Sequence, residues 1–125
     1  MYVRHSDLYV RPEHIREYTR LLSERVRAVR GSSLSVKRVD LMQSFDNPNL
    51  MLLLEIFRDK ASWEAVSNGC DAKAFETQTK PWLVGDKQRL TENQNIEPTD
   101  AEWDTAYVGV RPMRGWPAPR LCTTC

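Results

Sequence analysis

One acidic residue inside an apolar strand is the first candidate for chemistry in this sequence. Glu55 lies within Leu50–Arg58, where every other residue before the arginine is Leu, Met, Ile or Phe. Burial among apolar side chains disfavours the charged form of a carboxylate and raises its pKa, which suits a general base. The alternative is an ion pair with an arginine across the hairpin, such as Arg38. The sequence alone leaves both roles open.

The predicted first strand carries the other polar candidates. His5, Asp7 and Tyr9 occupy alternate positions of Tyr2–Val10 and therefore share one side of that strand. They could form the polar floor of a pocket, and the ordinary pKa of histidine suits proton transfer near neutral pH. A structural hydrogen-bonding role for the histidine is the alternative. We therefore take Glu55, His5 and Asp7 as the catalytic candidates.

Large apolar and aromatic side chains are the candidates for substrate contact. They are Tyr9, Leu53, Phe57, Trp63 and Trp82. The two tryptophans suit stacking on a flat substrate, and packing in the core is the alternative for both. Cys122 and Cys125 have CxxC spacing, but no second pair or nearby histidine completes a zinc site. Because the sequence also lacks a glycine-rich phosphate loop, we predict no metal and no cofactor.

The elements that would position these side chains follow from apolar periodicity and turn residues. We predict the β-α-β-β-α-β order of the ferredoxin-like α+β fold, with an antiparallel sheet. The apolar positions change parity between Val36 and Val39, which indicates a bulge or a strand buried on both faces. The predicted elements are a strand at Tyr2–Val10, a helix from Pro12 to Gly31, strands at Ser33–Ser44 and Leu50–Arg58, a helical segment from Lys60 to about Leu83 broken at Asn68–Gly69, and a last strand at Lys87–Ile96.

The strand Leu50–Arg58 has apolar residues on both of its sides, and both therefore need cover. We expect the helices to cover one side and the side of Met51, Leu53 and Phe57 to lack cover within the chain. This predicts a homodimer joined through the sheets. We expect residues 1–96 to form the domain and residues 97–125, rich in proline and tryptophan, to form an arm that packs on the domain or on a partner.

The balance of charged residues indicates which partners are not expected. The chain has 125 residues, 18 Lys and Arg, and 17 Asp and Glu, so its formal net charge is only +1. This balance gives no electrostatic reason for binding nucleic acid or an anionic membrane. The first residues are polar and show no apolar signal-peptide core, so we expect a cytoplasmic protein.

Several short motifs, in their order and spacing, resemble the antibiotic biosynthesis monooxygenase family. They are Leu8–Glu13, the turn Asp46–Asn49, and Leu54–Asp59 followed by Ala61, Trp63, Glu64 and Ala65. The likeness spans roughly residues 1–96. It implies dimeric α+β barrels in which two ferredoxin-like sheets pair face to face, with a pocket between sheet and helices in each subunit. It also implies oxidation of an electron-rich aromatic polyketide by O2, without flavin, haem or metal in the best-known members.

The resemblance also bears on single residues. Phe57 matches a bulky aromatic at the end of the third strand, and Trp63 matches an aromatic that lines the pocket. Two positions depart from the family: Leu53 stands where one polyketide-oxidising branch has an asparagine, and residues 60–83 contain no histidine where many relatives have one. Haem degradation is therefore not expected, because haem-degrading relatives hold the haem through a histidine of this region.

Three functions remain open from the sequence. The first is a cofactor-independent monooxygenase that acts on a phenolic or anthrone-like biosynthetic intermediate, with Glu55 or His5 as the base and O2 as co-substrate. The second is a cyclase, isomerase or decarboxylase that uses the same acid and base without O2. The third is a ligand-binding or structural protein of the same fold without catalysis. The missing histidines favour the second and third, and the aromatic candidates favour the first and second.

Overall fold

The computed structural model of the chain describes residues 1–103. These residues form four strands and four helices: β1 Tyr2–Tyr9, α1 Ile15–Val29, β2 Val36–Gln43, β3 Leu50–Phe57, α2 Lys60–Ser67, α3 Cys70–Thr79, β4 Arg89–Gln94 and α4 Asp100–Trp103. Short 3-10 turns lie at Pro12–His14, Lys80–Trp82 and Gly85–Lys87. No helix within residues 1–103 is long and apolar enough to cross a membrane. Cys122 and Cys125 lie outside the described residues, as does most of the predicted arm.

The four strands form one antiparallel sheet in the order β2-β3-β1-β4. The predicted ferredoxin-like fold is confirmed, including the break between α2 and α3. The pairing of β2 with β3 shifts register between Val36 and Arg38, which agrees with the first of the two alternatives, a bulge. β4 is shorter than predicted, since only Arg89–Gln94 pair with β1. A boundary of the domain at residue 96 stays a prediction.

The apolar core lies between the sheet and the helices, on what we call the helical face of the sheet. Met51 and Phe57 of β3 are buried there against Tyr18, Leu22 and Val26 of α1. Side chains of α2 and α3 pack on the same cluster through Trp63, Val66 and Phe75. The prediction that the side of Met51, Leu53 and Phe57 lacks cover is therefore wrong. Alternation along a strand that is apolar on both sides shows that both need cover, but it does not show which side receives the helices.

The opposite face of the sheet carries the remaining residues of the two central strands. Leu50, Leu52, Leu54 and Ile56 of β3 lie there beside Tyr9, Asp7, His5 and Val3 of β1, which are their register partners. At one end of this face α4 packs on the sheet, and Trp103 is buried with Met1 and Ile56. The carboxylate of Asp100 accepts a hydrogen bond from the Met1 ammonium at 2.6 Å.

Phe57 and Phe45 form a matched pair for a stability test. Phe57 is 0% exposed in the core, whereas Phe45, in the β2–β3 turn, is 106% exposed. Phe57→Ala should lower the free energy of unfolding by about 3–5 kcal/mol, because it removes buried surface and leaves a cavity. Phe45→Ala should change it by less than about 0.5 kcal/mol. Urea titrations of both variants measure this difference, and equal midpoints would contradict the placement of Phe57 in the core.

Candidate functional site

Glu55 lies on the helical face of β3, between its register partners Arg4 on β1 and Val39 on β2. Its side chain is 16% exposed. Burial raises the pKa of this carboxyl above its ordinary value of 4.5, and the charge of Arg4, a hydrogen bond with Trp63 and the charge of Arg25 offset part of that effect. The carboxyl group is therefore easier to protonate than one in water, which is the property that a general base requires.

Trp63 reaches Glu55 because α2 begins at a fixed position. The side chain of Asp59 caps this helix by accepting hydrogen bonds from the backbone N–H and the hydroxyl of Ser62, both at 2.7 Å. The helix therefore begins at Lys60, directly after β3, and Trp63 lies in its first turn. The Trp63 indole N–H, its only donor, is close enough to Glu55 to lower the pKa of the carboxyl group. The guanidinium carbon of Arg4 lies 3.9 Å from the centre of the indole ring, which is a cation–π contact.

Glu92, Arg4 and Glu55 form a row of charged side chains across β4, β1 and β3, because the register places Arg4 opposite both glutamates. Exposure falls along this row. The side chain of Glu92 is 43% exposed, that of Arg4 19% and that of Glu55 16%. All six residues of β4 are exposed, so the helices leave the helical face accessible at this edge. Of the three charged groups, Glu92 is therefore the most accessible to a ligand, and Glu55 lies farthest from this edge.

The outer end of the row is held by hydrogen bonds. The hydroxyl of Tyr2 donates to Glu92 at 2.9 Å and accepts from Nη1 of Arg4 at 3.3 Å. Nζ of Lys60 lies 3.1 Å from the same Glu92 oxygen. The hydrogen bond from Tyr2, followed by that from Lys60, lowers the pKa of Glu92. Glu92 is therefore an ionised anchor for Tyr2 and Lys60, whereas Glu55 is the carboxyl group whose charge is disfavoured.

An open cleft of about 520 Å³ adjoins this anchor. It shares Tyr2, Lys60 and Glu92 with the network just described, and six of its eight lining residues have charged or amide side chains. Its lining residues are Met1, Tyr2, Arg58, Lys60, Glu92, Asn93, Gln94 and Asp100. The cleft therefore places charged and amide side chains next to the outer end of this row.

Arg25 of α1 is the second cation that acts on Glu55, and Asp71 of α3 in turn acts on Arg25. Burial lowers the pKa of Arg25, and its interactions with Asp71 and Glu55 work against that effect. Glu55 thus has a cation on the sheet side, Arg4, and another on the helix side. Within residues 1–103, no group of three or more His, Cys, Asp or Glu side chains is arranged to hold a metal ion.

The structure separates the predicted catalytic residues. His5 and Asp7 lie on the opposite face of the sheet, where their register partners are Leu54 and Leu52, so they do not form one site with Glu55. Tyr9 lies on that opposite face as well. Arg38, the arginine considered as a partner for Glu55, instead bonds to Asp40 at 2.6 Å. Arg4, rather than Arg38, is the strand arginine that forms an ion pair with Glu55.

The predicted substrate contacts are separated too. Trp63 lies beside Glu55, and Leu53 lies two residues before Glu55 on the same helical face. Phe57 is wholly buried and offers no surface to a substrate. Trp82 stacks on His14 at 5.0 Å and lies at the other end of β1, next to the bridge between Val10 and Leu83.

Arg4, Tyr2 and Glu92 were not identified from the sequence. Their side chains share a face with Glu55 only through the register of three strands. A usable signal was present in the sequence, since residues 2 and 4 have the parity opposite to His5 and Asp7. Pairing the predicted β1 antiparallel to β3 would have placed one of its polar residues opposite Glu55.

Comparison with solved structures finds the same fold in proteins of low sequence identity. A candidate antibiotic biosynthesis monooxygenase from Nitrosomonas europaea superimposes with a TM-score of 0.70 at 16% identity, over 78% of this chain and 92% of that one. A second candidate monooxygenase, from Deinococcus radiodurans, gives 0.70 at 15% identity, over 78% and 94%. A conserved protein from Methanosarcina mazei gives 0.68 at 15% identity, over 77% and 94%. At these identities the likeness shows the fold alone.

Comparison of the sequence with family profiles gives a more specific result. The profile described as "Antibiotic biosynthesis monooxygenase" matches residues 1–78, which include β1, β2, β3 and α2 and therefore both Glu55 and Trp63. No curated protein matches the sequence. The match covers more than half of the 125 residues. The chain belongs to the antibiotic biosynthesis monooxygenase family.

Proposed function

We propose that this protein is a cofactor-independent monooxygenase that oxidises a phenolic or anthrone-type aromatic intermediate of polyketide-like secondary metabolism. Glu55 carries the proposal, because it is a largely enclosed carboxyl group of raised pKa that lies beside an indole and a guanidinium. A flat aromatic substrate would lie against Trp63 with its acidic C–H directed at Glu55. A cytoplasmic location stays a prediction.

The proposed reaction begins with proton transfer. Glu55 takes a proton from a carbon that is conjugated with a carbonyl group, in an anthrone through the aromatic rings, and the C–H electron pair enters the ring system as an enolate. The enolate transfers one electron to O2, and the resulting carbon radical and superoxide combine to a peroxide that takes up a proton. Loss of water then leaves a carbonyl group, so that one CH2 group and one O2 become C=O and H2O. The protein has to deprotonate, orient and exclude bulk water.

The same base could serve a cyclase, an isomerase or a decarboxylase without O2. The consumption of O2 separates these reactions, because only the oxygenase incorporates an oxygen atom into the product. We therefore propose to incubate the full chain with 1,8-dihydroxyanthrone, with and without O2, and to measure product mass. An anaerobic product of unchanged oxygen content would favour the second class of reaction.

Glu55→Gln is the direct test of the base. The amide keeps the shape and hydrogen-bonding capacity of the side chain but cannot accept the substrate proton, so turnover should fall by about 10²-fold or more. Glu13→Gln is the matched control, because Glu13 is an exposed carboxylate at the start of the first helical turn. Turnover in the Glu13 variant should equal that of the wild type. Near-normal turnover in Glu55→Gln would remove this residue from the mechanism.

The raised pKa of Glu55 also predicts how stability depends on pH. The folded state binds this proton more tightly than the unfolded state, so the contribution to stability is full below pH 4.5 and is lost as pH rises through the folded pKa. Glu55→Gln lacks this contribution. The free energy of unfolding of the wild type minus that of the variant should therefore decrease as pH rises from 4.5 toward neutral. Urea titrations over this range measure the difference, and a constant value would show that the pKa of Glu55 is not raised.

We also propose a homodimer joined through the opposite face of the sheet. The support is the apolar row Leu50, Leu52, Leu54 and Ile56, of which only the Ile56 end packs with Trp103 in the described chain. An interface of obligate dimers buries on the order of 2,000 Å² or more in total. This face replaces the one predicted from the sequence, which the helices cover.

Leu52→Asp tests the dimer, because Leu52 is central in that row and its register partners are Asp7 and Met42. The new carboxylate should shift the protein from dimer to monomer at micromolar concentration, as measured by sedimentation. Leu34→Asp is the control, since Leu34 is a highly exposed leucine that lies outside the strands. A wild type that sediments as a folded monomer would overturn the proposal.

A further inference from the structure

Arg4 holds a position that the proposed mechanism has not yet used. Its Nε lies 3.9 Å from the nearest Glu55 oxygen, which is an ion-pair distance but too long for a hydrogen bond. A guanidinium has five N–H donors, and the Tyr2 hydroxyl accepts from one of them at 3.3 Å. Within residues 1–103, the one buried side-chain N or O atom without a partner is Nε1 of Trp103. The Arg4 side chain is 19% exposed, so part of it is open to solvent.

The surroundings keep the guanidinium in place beside Glu55. The guanidinium carbon lies over the Trp63 ring, 3.9 Å from its centre, and Trp63 also acts on Glu55 by lowering its pKa. Tyr2 bonds to both Arg4 and Glu92, and Lys60 contacts the same Glu92 oxygen. Base, cation and aromatic surface are thus fixed relative to one another. Such preorganisation is what stabilises a developing charge without rearrangement during the reaction.

We propose that Arg4 binds the oxygen anion of the substrate that Glu55 creates, so that the site selects flat aromatic compounds whose anionic oxygen is conjugated with the reacting carbon. This inference rests on the proposed role of Glu55. When Glu55 takes the proton, its own charge is neutralised, the C–H electron pair moves into the ring, and the negative charge appears on the substrate oxygen. Arg4 has an anionic partner before and after this step.

Arg4 pairs first with the Glu55 carboxylate and then with the substrate oxygen. This exchange explains why the distance between Arg4 and Glu55 is long. A close bidentate pair would stabilise the ground state and would have to break for the substrate to bind. At 3.9 Å the Arg4 charge offsets only part of the rise in the Glu55 pKa that burial causes. Arg4 also keeps N–H donors for the substrate oxygen. Tyr2 is then a positioning residue, since it contacts Arg4 and not Glu55.

The test measures binding and needs no turnover. The probes are 2-hydroxy-1,4-naphthoquinone, which is ionised at neutral pH, and its 2-methoxy analogue, which is neutral. Isothermal titration calorimetry with the full chain gives the dissociation constant of each. The wild type should bind the ionised probe at least about tenfold more tightly, the scale expected for a charge-assisted hydrogen bond.

Variants assign the preference to Arg4. Arg4→Gln should abolish the preference for the ionised probe, and Arg4→Lys, which keeps the charge but loses the planar fork, should retain part of it. Arg16→Gln is the control, because Arg16 is an exposed arginine of α1, and its preference should equal that of the wild type. Circular dichroism checks folding, and Arg4→Lys gives the answer if Arg4→Gln does not fold. A wild type without the preference, or an Arg4→Gln or Arg4→Lys variant that keeps it in full, would overturn the proposal.

The outcomes separate this inference from the proposed function. Glu55→Gln should still prefer the ionised probe, since it keeps Arg4, while its turnover falls. If Arg4→Gln keeps the preference and Glu55→Gln loses turnover, the proposed function stands and the role of Arg4 does not. If the preference depends on Arg4 and Glu55→Gln keeps its turnover, Arg4 binds an anion and the proposed base is wrong.

Discussion

The register between β1 and β3 is the constraint on which the site depends. Residues 2–9 pair one by one with residues 57–50, and this places Arg4 directly opposite Glu55. A slip of one residue would turn Tyr2, Arg4 and Leu8 away from the helices and bring His5 or Val3 beside Glu55. Tyr2 and Leu8 pack on the same core as Met51 and Phe57, so apolar contacts at both ends of the strand pair oppose such a slip.

At Glu55, burial raises the pKa of the carboxyl group and the nearby cations lower it, and neither effect cancels the other. A carboxylate placed among apolar side chains without a partner would be costly, and it would be neutral at most pH values. A close partner on each side would instead make a buried ion pair with little tendency to exchange protons. Glu55 lies between these limits, since burial is the larger effect on its pKa and Arg4 and Arg25 offset part of it.

Local sequence patterns predicted the elements of the fold but not the assignment of faces. The order of elements, the bulge near Val36 and the break at Asn68–Gly69 all follow from spacing and turn residues, which act over a few residues of the chain. The helical face could not be predicted, because the strand Leu50–Phe57 is apolar on both sides. Only the packing of α1 on Met51 and Phe57 distinguishes the two sides, and that contact is distant in sequence.

The candidate site shows the same limit. Glu55 and Trp63 were found because an acid in an apolar run and an aromatic early in a helix are visible locally. Arg4 was missed, and Arg38 was considered in its place, since the hairpin neighbour is closer in sequence than the strand on the other side of β3. Trp82 was grouped with Trp63 by residue type, although the structure places the two at opposite ends of β1.

The exposure of β4 has a consequence for how the protein avoids aggregation. An outer strand offers unpaired backbone groups to any other chain, and natural proteins protect such strands with charged and polar side chains. Arg89–Gln94 has the sequence RLTENQ, in which Leu90 is the single apolar residue. Glu92 thus contributes to two separate demands, because it anchors Tyr2 and Lys60 and also makes this strand a poor template for strand addition. A more apolar sequence in β4 would therefore be limited by the solubility of the protein as well as by the chemistry of the site.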